Sequence, residues 1–289
     1  MTSLGEAVAD ARMRFDAAGL SDAAMEARIL ISGLLGMTST EVFSRDAKTL
    51  TDAEATLIAN AVDRRLRREP VHRILGEREF HGMMLTLSKE TLEPRPDTEM
   101  LVETMLPHLK RIAAAKGKAR VLDLGTGTGA IILALLKECP DAVGVATDVS
   151  EDALQTARDN AARLNLERRL KAIRSDWFTG VAGPFDIIVS NPPYIRGDII
   201  PTLEPEVRDF DPHRALDGGP DGLDAYRAIA AGAGAALAPD GVVGLEIGFD
   251  QKDSVTEIFA VAGFSLLQAA RDYGDNDRVL VFAPEPPGP

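Results

Sequence analysis

Asn191-Pro192-Pro193-Tyr194 follows directly on an apolar run, Phe185 to Ser190. A strand that ends this way puts a planar amide, a rigid backbone carbonyl and an aromatic ring at the lip of a sheet. The two prolines fix φ and bring no N–H, so these groups ride on a stiff loop instead of continuing the ladder. Such a set suits a planar amine or amide. The Asn191 side-chain oxygen and the Pro192 carbonyl can each accept one N–H, Pro193 stiffens the loop, and the Tyr194 ring can stack on the ligand face. The same four residues also read as a strand end closed by a Pro-Pro turn, so the context upstream decides.

That context begins with Ala119 to Leu124, a short apolar run that reads as a buried strand. Gly125-Thr126-Gly127-Thr128-Gly129 follows, and then an apolar helix, Ala130 to Leu136. Alternating glycines at a strand-to-helix turn let the backbone bend sharply and approach a ligand with no Cβ in the way. The next strand, Val143 to Thr147, ends in Asp148, roughly twenty residues on, where dinucleotide folds place the acid that accepts ribose hydroxyls. The loop is G-x-G-x-G rather than the phosphate-binding G-x-G-x-x-G, and it holds no basic residue for a pyrophosphate. A nucleoside cofactor carrying an amino-acid arm fits better, which is what S-adenosylmethionine offers. A third strand, Leu170 to Arg174, ends in Ser175-Asp176-Trp177, where an acid can take the adenine amino group and an aromatic can cover the ring. Trp177 also reads as a core residue, but three successive strand ends bearing ligand-type groups favour a site. Asn191 is expected to reach the cofactor as well as the substrate.

Asp123 to Gly129, Asp148, Asp176-Trp177 and Asn191 to Tyr194, in this order, resemble class I S-adenosylmethionine-dependent methyltransferases acting on amino or amide nitrogens. The wider pattern resembles the protein-(glutamine-N5) methyltransferase family of peptide chain release factors. It is carried by Leu75 to Phe80, Pro94 to Glu99, Ala215 to Leu223, Leu245 to Gly248 and Asp272 to Val279. Asp211-Pro212, Glu93 and His81 depart from the family's usual Glu-Pro, aliphatic and larger aromatic residues, and none lies in the four site motifs. The resemblance implies a seven-stranded methyltransferase sheet whose last strand is antiparallel. It also implies a substrate, the glutamine of the Gly-Gly-Gln tripeptide in class 1 peptide chain release factors. A nucleic-acid methyltransferase acting on the amino group of adenine or guanine fits the same amine grip and stays open, as does a non-catalytic nucleoside-binding adaptor.

The elements that must position these groups alternate. Strands at 119–124, 143–147, 170–174, 185–190, 242–247, 264–271 and 278–283 are separated by helical stretches, which calls for an α/β, doubly wound, mostly parallel sheet. Ahead of it, residues 1–75 read as a small helical domain suited to substrate recognition. Ser21 or Asp22 is expected to cap its second helix, and Thr38 to Glu41 and Thr51 to Glu54 fit the capping-box pattern. Residues 76–95 read as a linker with a short β-hairpin, 96–283 as the methyltransferase domain with a first helix from Asp97 to Leu109, and 284–289 as a flexible tail. The Pro/Gly/acid-rich stretch 195–222 reads as a long functional or disordered loop.

Charge narrows the partners. The 289 residues carry a formal net charge of -13, whereas general nucleic-acid binders carry a basic stripe. Residues 1–75 are nearly neutral, with ten Lys/Arg against eleven Asp/Glu. Arg64-Arg65-Leu66-Arg67-Arg68 is the densest basic patch and reads as a solvated helix face. No direct DNA binding is expected, nor any metal site, since His72, His81, His108 and His213 are scattered. No apolar run approaches a membrane span and no signal peptide is evident, and the single cysteine, Cys139, fits a cytoplasmic home.

Overall fold

The computed structural model describes residues 2–285. The chain divides into two compact units. One runs up to Arg78 and takes in Glu204–Phe210; the other comprises Glu79–Leu203 and the chain from Asp211 onward.

The first unit contains α1 (Leu4–Ala17), α2 (Ala23–Leu35), α3 (Ser39–Ser44), α4 (Asp52–Leu66) and α5 (Val71–Leu75) around Phe15, Leu30 and Ile31. Thr38 and Thr51 form the expected reciprocal boxes with Glu41 and Glu54, and Ser3 forms a third with Glu6. The expected cap of α2 is not made. Asp22 occupies the N-cap position, but its φ of -114° and ψ of 37° leave the extended region from which a side chain reaches back to the helix, and its carboxylate takes the Ser21 hydroxyl instead.

The arginine patch is not a solvated face. Arg65 continues the buried stripe of α4 set by Ile58, Ala61 and Val62, so its guanidinium is carried inside, with 4% of the residue exposed. Burial of that charge requires acids. Glu26 supplies two bonds, at 2.7 and 3.2 Å, and Glu206 stands at 3.0 Å. Arg68 binds Glu206 at 2.8 Å and Glu204 at 3.3 Å, and Arg64 binds Glu69. Two acids of the remote 204–210 segment thus complete the charge balance of a helix far earlier in the chain.

A hairpin, β1 (Glu77–Phe80) and β2 (Met83–Thr86), follows. Its two-residue turn, His81-Gly82, has φ of 48° and 66°, the left-handed pair of a type I′ turn. The second unit is built on β3 (Ala119–Leu124), β4 (Ala142–Asp148), β5 (Leu170–Arg174), β6 (Phe185–Ser190), β7 (Leu237–Glu246), β8 (Phe264–Arg271) and β9 (Asp277–Pro284). They form one seven-stranded sheet in the order β5-β4-β3-β6-β7-β9-β8. The first five strands of that order are parallel, and β9, last in the chain, runs antiparallel to both neighbours. Strand β9 takes in Pro284, which pairs with Phe264, so this first residue of the expected tail is part of the sheet; residues 286–289 lie outside the described residues.

Helices α6 (Glu99–Lys116), α7 (Ala130–Glu138) and α8 (Glu151–Arg163) pack one face of the sheet, with Met105, Ile132 and Ala161 in its core. The 195–222 stretch is ordered by short turns, α9 (Pro205–Arg208) and α10 (His213–Leu216), and a bridge between Ile195 and Asp217. Helices α11 (Asp224–Ala236) and α12 (Lys252–Val261) cover the other face through Tyr226, Ile229 and Phe259. Along β3 the side chains divide accordingly, Val121 to one core and Leu122 and Leu124 to the other. Helix α6 departs from expectation at both ends. A 3-10 turn at Pro96–Thr98 precedes it and Asp97 makes no cap, while the apolar period runs on through buried Ile112 and Ala113 until Gly117 closes the helix with φ 74°.

Replacing Arg65 by methionine leaves two acids facing an apolar stripe. The unfolding transition of the helical unit in the full chain is expected to drop by about 2–4 kcal/mol, between the cost of breaking an exposed pair and a buried one. A loss below about 1 kcal/mol by chemical denaturation would mean that these pairs act as surface pairs.

Candidate active site

The strand order turns back between β3 and β6, the switch point at which open α/β sheets form a crevice beyond the carboxyl ends of their strands. Asp123 lies beside Val189, so the loops after Leu124 and Ser190 emerge side by side, and the Ser190 hydroxyl donates to the Leu124 carbonyl at 2.6 Å. Here the second unit holds a cleft, lined by residues that follow β3, β4, β5 and β6.

Its floor is the glycine loop. Gly125, Gly127 and Gly129 have φ of 69°, 54° and 83°, a conformation that explains the alternation of glycine along the loop. A Cβ at Gly125 or Gly127 would meet nothing within 4 Å, so the backbone there is bare toward the cleft that both residues line with Thr126 and Thr128. Gly129 serves differently. It is outside the cleft wall and starts α7, with Leu133 Cδ1 only 3.0 Å from where its Cβ would lie. Asn160, fully buried on α8, braces the loop from behind. Its amide nitrogen donates to the carbonyls of Thr128 and Thr86 at 2.9 and 3.1 Å, and its oxygen takes the Thr86 N–H at 2.8 Å.

Asp148 ends β4 at the cleft wall. Its carboxylate accepts the N–H of Gly127 at 3.0 Å and of Ser150 at 2.9 Å, which aims it and leaves lone pairs for a ligand hydroxyl. Burial raises its pKa, and those backbone bonds draw it partly back. Asp123 is deeper, fully buried, with Thr126 donating to it at 2.7 Å; burial pushes its pKa up to about 7.

Asp176 and Trp177 line the cleft beyond β5. Trp177 has φ 49°, a strained conformation for a bulky residue, in a turn where the Ser175 hydroxyl lies 2.8 and 2.7 Å from the carbonyls of Trp177 and Thr179 and can donate to one of them. The indole also packs against the core, so the residue both lines the cleft and belongs to the packing beneath it.

Asn191 and Pro193 line the cleft, whereas Pro192 is buried and Tyr194 stands behind the wall. The Asn191 amide nitrogen donates to the Thr98 hydroxyl at 3.2 Å. That bond commits the nitrogen to the protein side and leaves the amide oxygen as the acceptor available to a ligand. The Tyr194 hydroxyl donates to Glu246 at 3.4 Å, and burial raises its pKa. Sequence reading missed Thr98, Arg95, Leu92 and Arg214, which complete the cleft wall. Pro94 to Glu99 and Ala215 to Leu223 carried the family resemblance, but nothing in them shows from spacing alone that they fold over a glycine loop. Among the described residues no helix is long and apolar enough to cross a membrane.

Residues 6–76 match the family model described as PrmC N-terminal domain, and residues 95–202 match the Methyltransferase small domain. The Release factor glutamine methyltransferase of Agrobacterium fabrum is 59% identical over 94% of each chain. That of Bradyrhizobium diazoefficiens is 47% identical over 89% of this chain and 88% of its own. Among solved structures, the hMettl16 catalytic domain in complex with an RNA hairpin covers 81% of this chain and 82% of its own, with a TM-score of 0.54 and 15% identity, and shares the fold alone. Similarity of that extent to curated enzymes, over most of the chain, shows that the chain belongs to the release factor glutamine methyltransferase family.

Proposed function

We propose that the chain methylates the side-chain amide nitrogen of the glutamine in the Gly-Gly-Gln tripeptide of class 1 peptide chain release factors, drawing the methyl group from S-adenosylmethionine. The orientation of Asn191 carries the reading: with its nitrogen bonded to Thr98, its oxygen is the group offered to the cleft. S-adenosylmethionine supplies a methyl group on a positively charged sulfur, and its transfer to an amide nitrogen is balanced by loss of one proton from that nitrogen.

The cofactor is assigned to Gly125–Gly129, Asp148 and Trp177. Bare backbone at Gly125 and Gly127 admits close approach, Asp148 accepts ribose hydroxyls, and Trp177 with Asp176 takes the adenine. An amide nitrogen is a weak nucleophile because its lone pair is delocalised into the carbonyl. In this reading Asn191 Oδ1 and the Pro192 carbonyl accept its two N–H bonds, which raises electron density on nitrogen and aims it at the methyl group. Pro193 shapes the wall beside them. Tyr194, behind that wall with its hydroxyl tied to Glu246, is assigned to backing the amide plane.

Helical residues 1–75 are assigned to holding the release factor, and residues 96–283 to the chemistry. The cytoplasm follows as the place of work from a substrate that acts in translation. The nucleic-acid reading meets a net charge of -13 and has no counterpart in the names of the two curated relatives described above.

Asp148→Ala is expected to weaken cofactor binding by about 1.5–3 kcal/mol, the worth of a hydrogen bond to a charged group. Unchanged affinity in calorimetric titration would remove Asp148 from the ribose. Asn191→Ala is expected to lower turnover on release factor about a hundred- to a thousandfold, with Tyr194→Ala milder, while thermal melting stays normal. Near-normal turnover in the Asn191 variant would sink the amide grip. A folded release factor should exceed a short Gly-Gly-Gln peptide in rate as well as affinity, because remote contacts hold the glutamine in register. Labelled methyl appearing faster in DNA or RNA than in release factor would overturn the substrate.

A further inference from the structure

The carboxyl edge of the sheet extends past the cleft. The cofactor as assigned occupies the edge above β3, β4 and β5, and Asn191 follows β6. A protein that brings its glutamine to Asn191 has the remaining edge, above β7, β9 and β8, to lie on. Strand β8 pairs antiparallel with β9, and β9 with β7, so β8 and β7 point the same way. The turn joining β8 to β9 therefore opens on the edge that bears the cleft, beside the turn that follows β7. Each turn lifts an aromatic ring into solvent: Phe249 is 66% exposed and Tyr273 80%. Among the described residues the one other exposed Phe, Tyr or Trp is Phe43, in the first unit.

Both turns are fastened from beneath. Buried Gln251 gives its amide nitrogen to the carbonyls of Tyr194 and Gly222 at 3.0 and 3.1 Å, and its oxygen takes the Gly248 N–H at 3.0 Å. The turn that bears Phe249 is thus tied directly to the Asn191–Tyr194 loop. In the other turn the Asp272 carboxylate accepts the N–H groups of Gly274 and Asn276 at 2.9 and 3.0 Å, on either side of which the chain carries Tyr273 out and β9 back. Arg278 joins the two turns, binding Asp272 at 2.9 Å and donating to the Ile247 carbonyl at 3.2 Å. Lys252, at the start of α12, reaches Asp277 at 3.3 Å. Apolar side chains scattered singly on a surface need no explanation, but two rings on braced neighbouring turns beside an acceptor loop are placed in advance, so that little ordering entropy is lost when a partner covers them.

We propose that Phe249 and Tyr273 form a docking surface for the release factor segments that flank the Gly-Gly-Gln tripeptide, on the side of Asn191 away from the cofactor. The occupant presents apolar side chains to the two rings, the use that protein interfaces make of exposed aromatic anchors. This hold is separate from the one assigned to helical residues 1–75. It rests on the reading of Asn191 as the place where the glutamine is methylated.

The test uses the full chain, S-adenosylmethionine and a folded release factor. Phe249→Ala and Tyr273→Ala should each raise KM for the release factor about tenfold, the effect of removing one aromatic anchor from an interface. Because the reacting groups are untouched, kcat should hold, and so should cofactor affinity and melting temperature. Val261→Ser alters a side chain that is as exposed but lies at the other end of α12, and it should leave KM unchanged. A photoreactive benzoyl group on the ring at position 249 should cross-link to the release factor segments beside the tripeptide. Unchanged KM in both alanine variants, with Asn191→Ala inactive, overturns the docking surface and leaves the methylation reading standing. Lost kcat at unchanged KM, an equal rise in KM for Val261→Ser, or cross-links confined to other parts of the release factor overturn it as well. A release factor left unmethylated by the unaltered chain brings down the reading and the inference together.

Discussion

The reversal of strand order between β3 and β6 is the constraint on which the rest of the second unit depends. Two parallel strands whose connections leave in opposite directions cannot be roofed by the same helix, so a crevice opens above their ends. Every group assigned to the chemistry reaches that crevice by a different strand. The glycine loop comes from β3, Asp148 from β4, Trp177 from β5 and Asn191 from β6. Their relative placement is therefore set by sheet register, a rigid property, and the Ser190 to Leu124 bond locks the two central loops at their roots.

Around this crevice the polar groups are layered by depth. Asp123 and Glu246 are sealed at the ends of their strands and have pKa values raised to about 7 by burial, while Asp148 keeps one edge toward the cleft. The deep acids fix side chains at the edge of the ligand space: Asp123 holds Thr126, which lines the cleft, and Glu246 takes the Tyr194 hydroxyl behind its wall. Asn160 does the same for the glycine loop without charge, using all three of its bonds on backbone atoms.

The strands and their motifs were legible because both signals are local. A buried strand is a short apolar run, and G-x-G-x-G or Asn-Pro-Pro-Tyr follows each run directly, so neither needs knowledge of what lies opposite. The thin walls of the cleft were not legible. Thr98, Arg95 and Arg214 lie in or beside single short turns whose partners are set by tertiary approach, too short for a period to mark them. The arginine run misled for a related reason. Five residues dense in charge look solvated, but position 65 falls on the apolar side of α4, and the acids that make this tolerable lie at positions 26 and 206. Asp22 shows the limit of capping rules: the residue type was right and the backbone angle was not.

Segment Glu204–Phe210 belongs by sequence to the long stretch after Tyr194 and by packing to the helical unit. The helical unit is consequently not a module with a single cut point. An exchange of N-terminal helices between relatives by recombination upstream of β1 would carry Arg65 and Arg68 without Glu204 and Glu206, and so separate charges that must match. The two stretches are expected to be inherited as a pair, so drift at position 206 in one lineage should be answered at position 65 or 68, more than a hundred residues away.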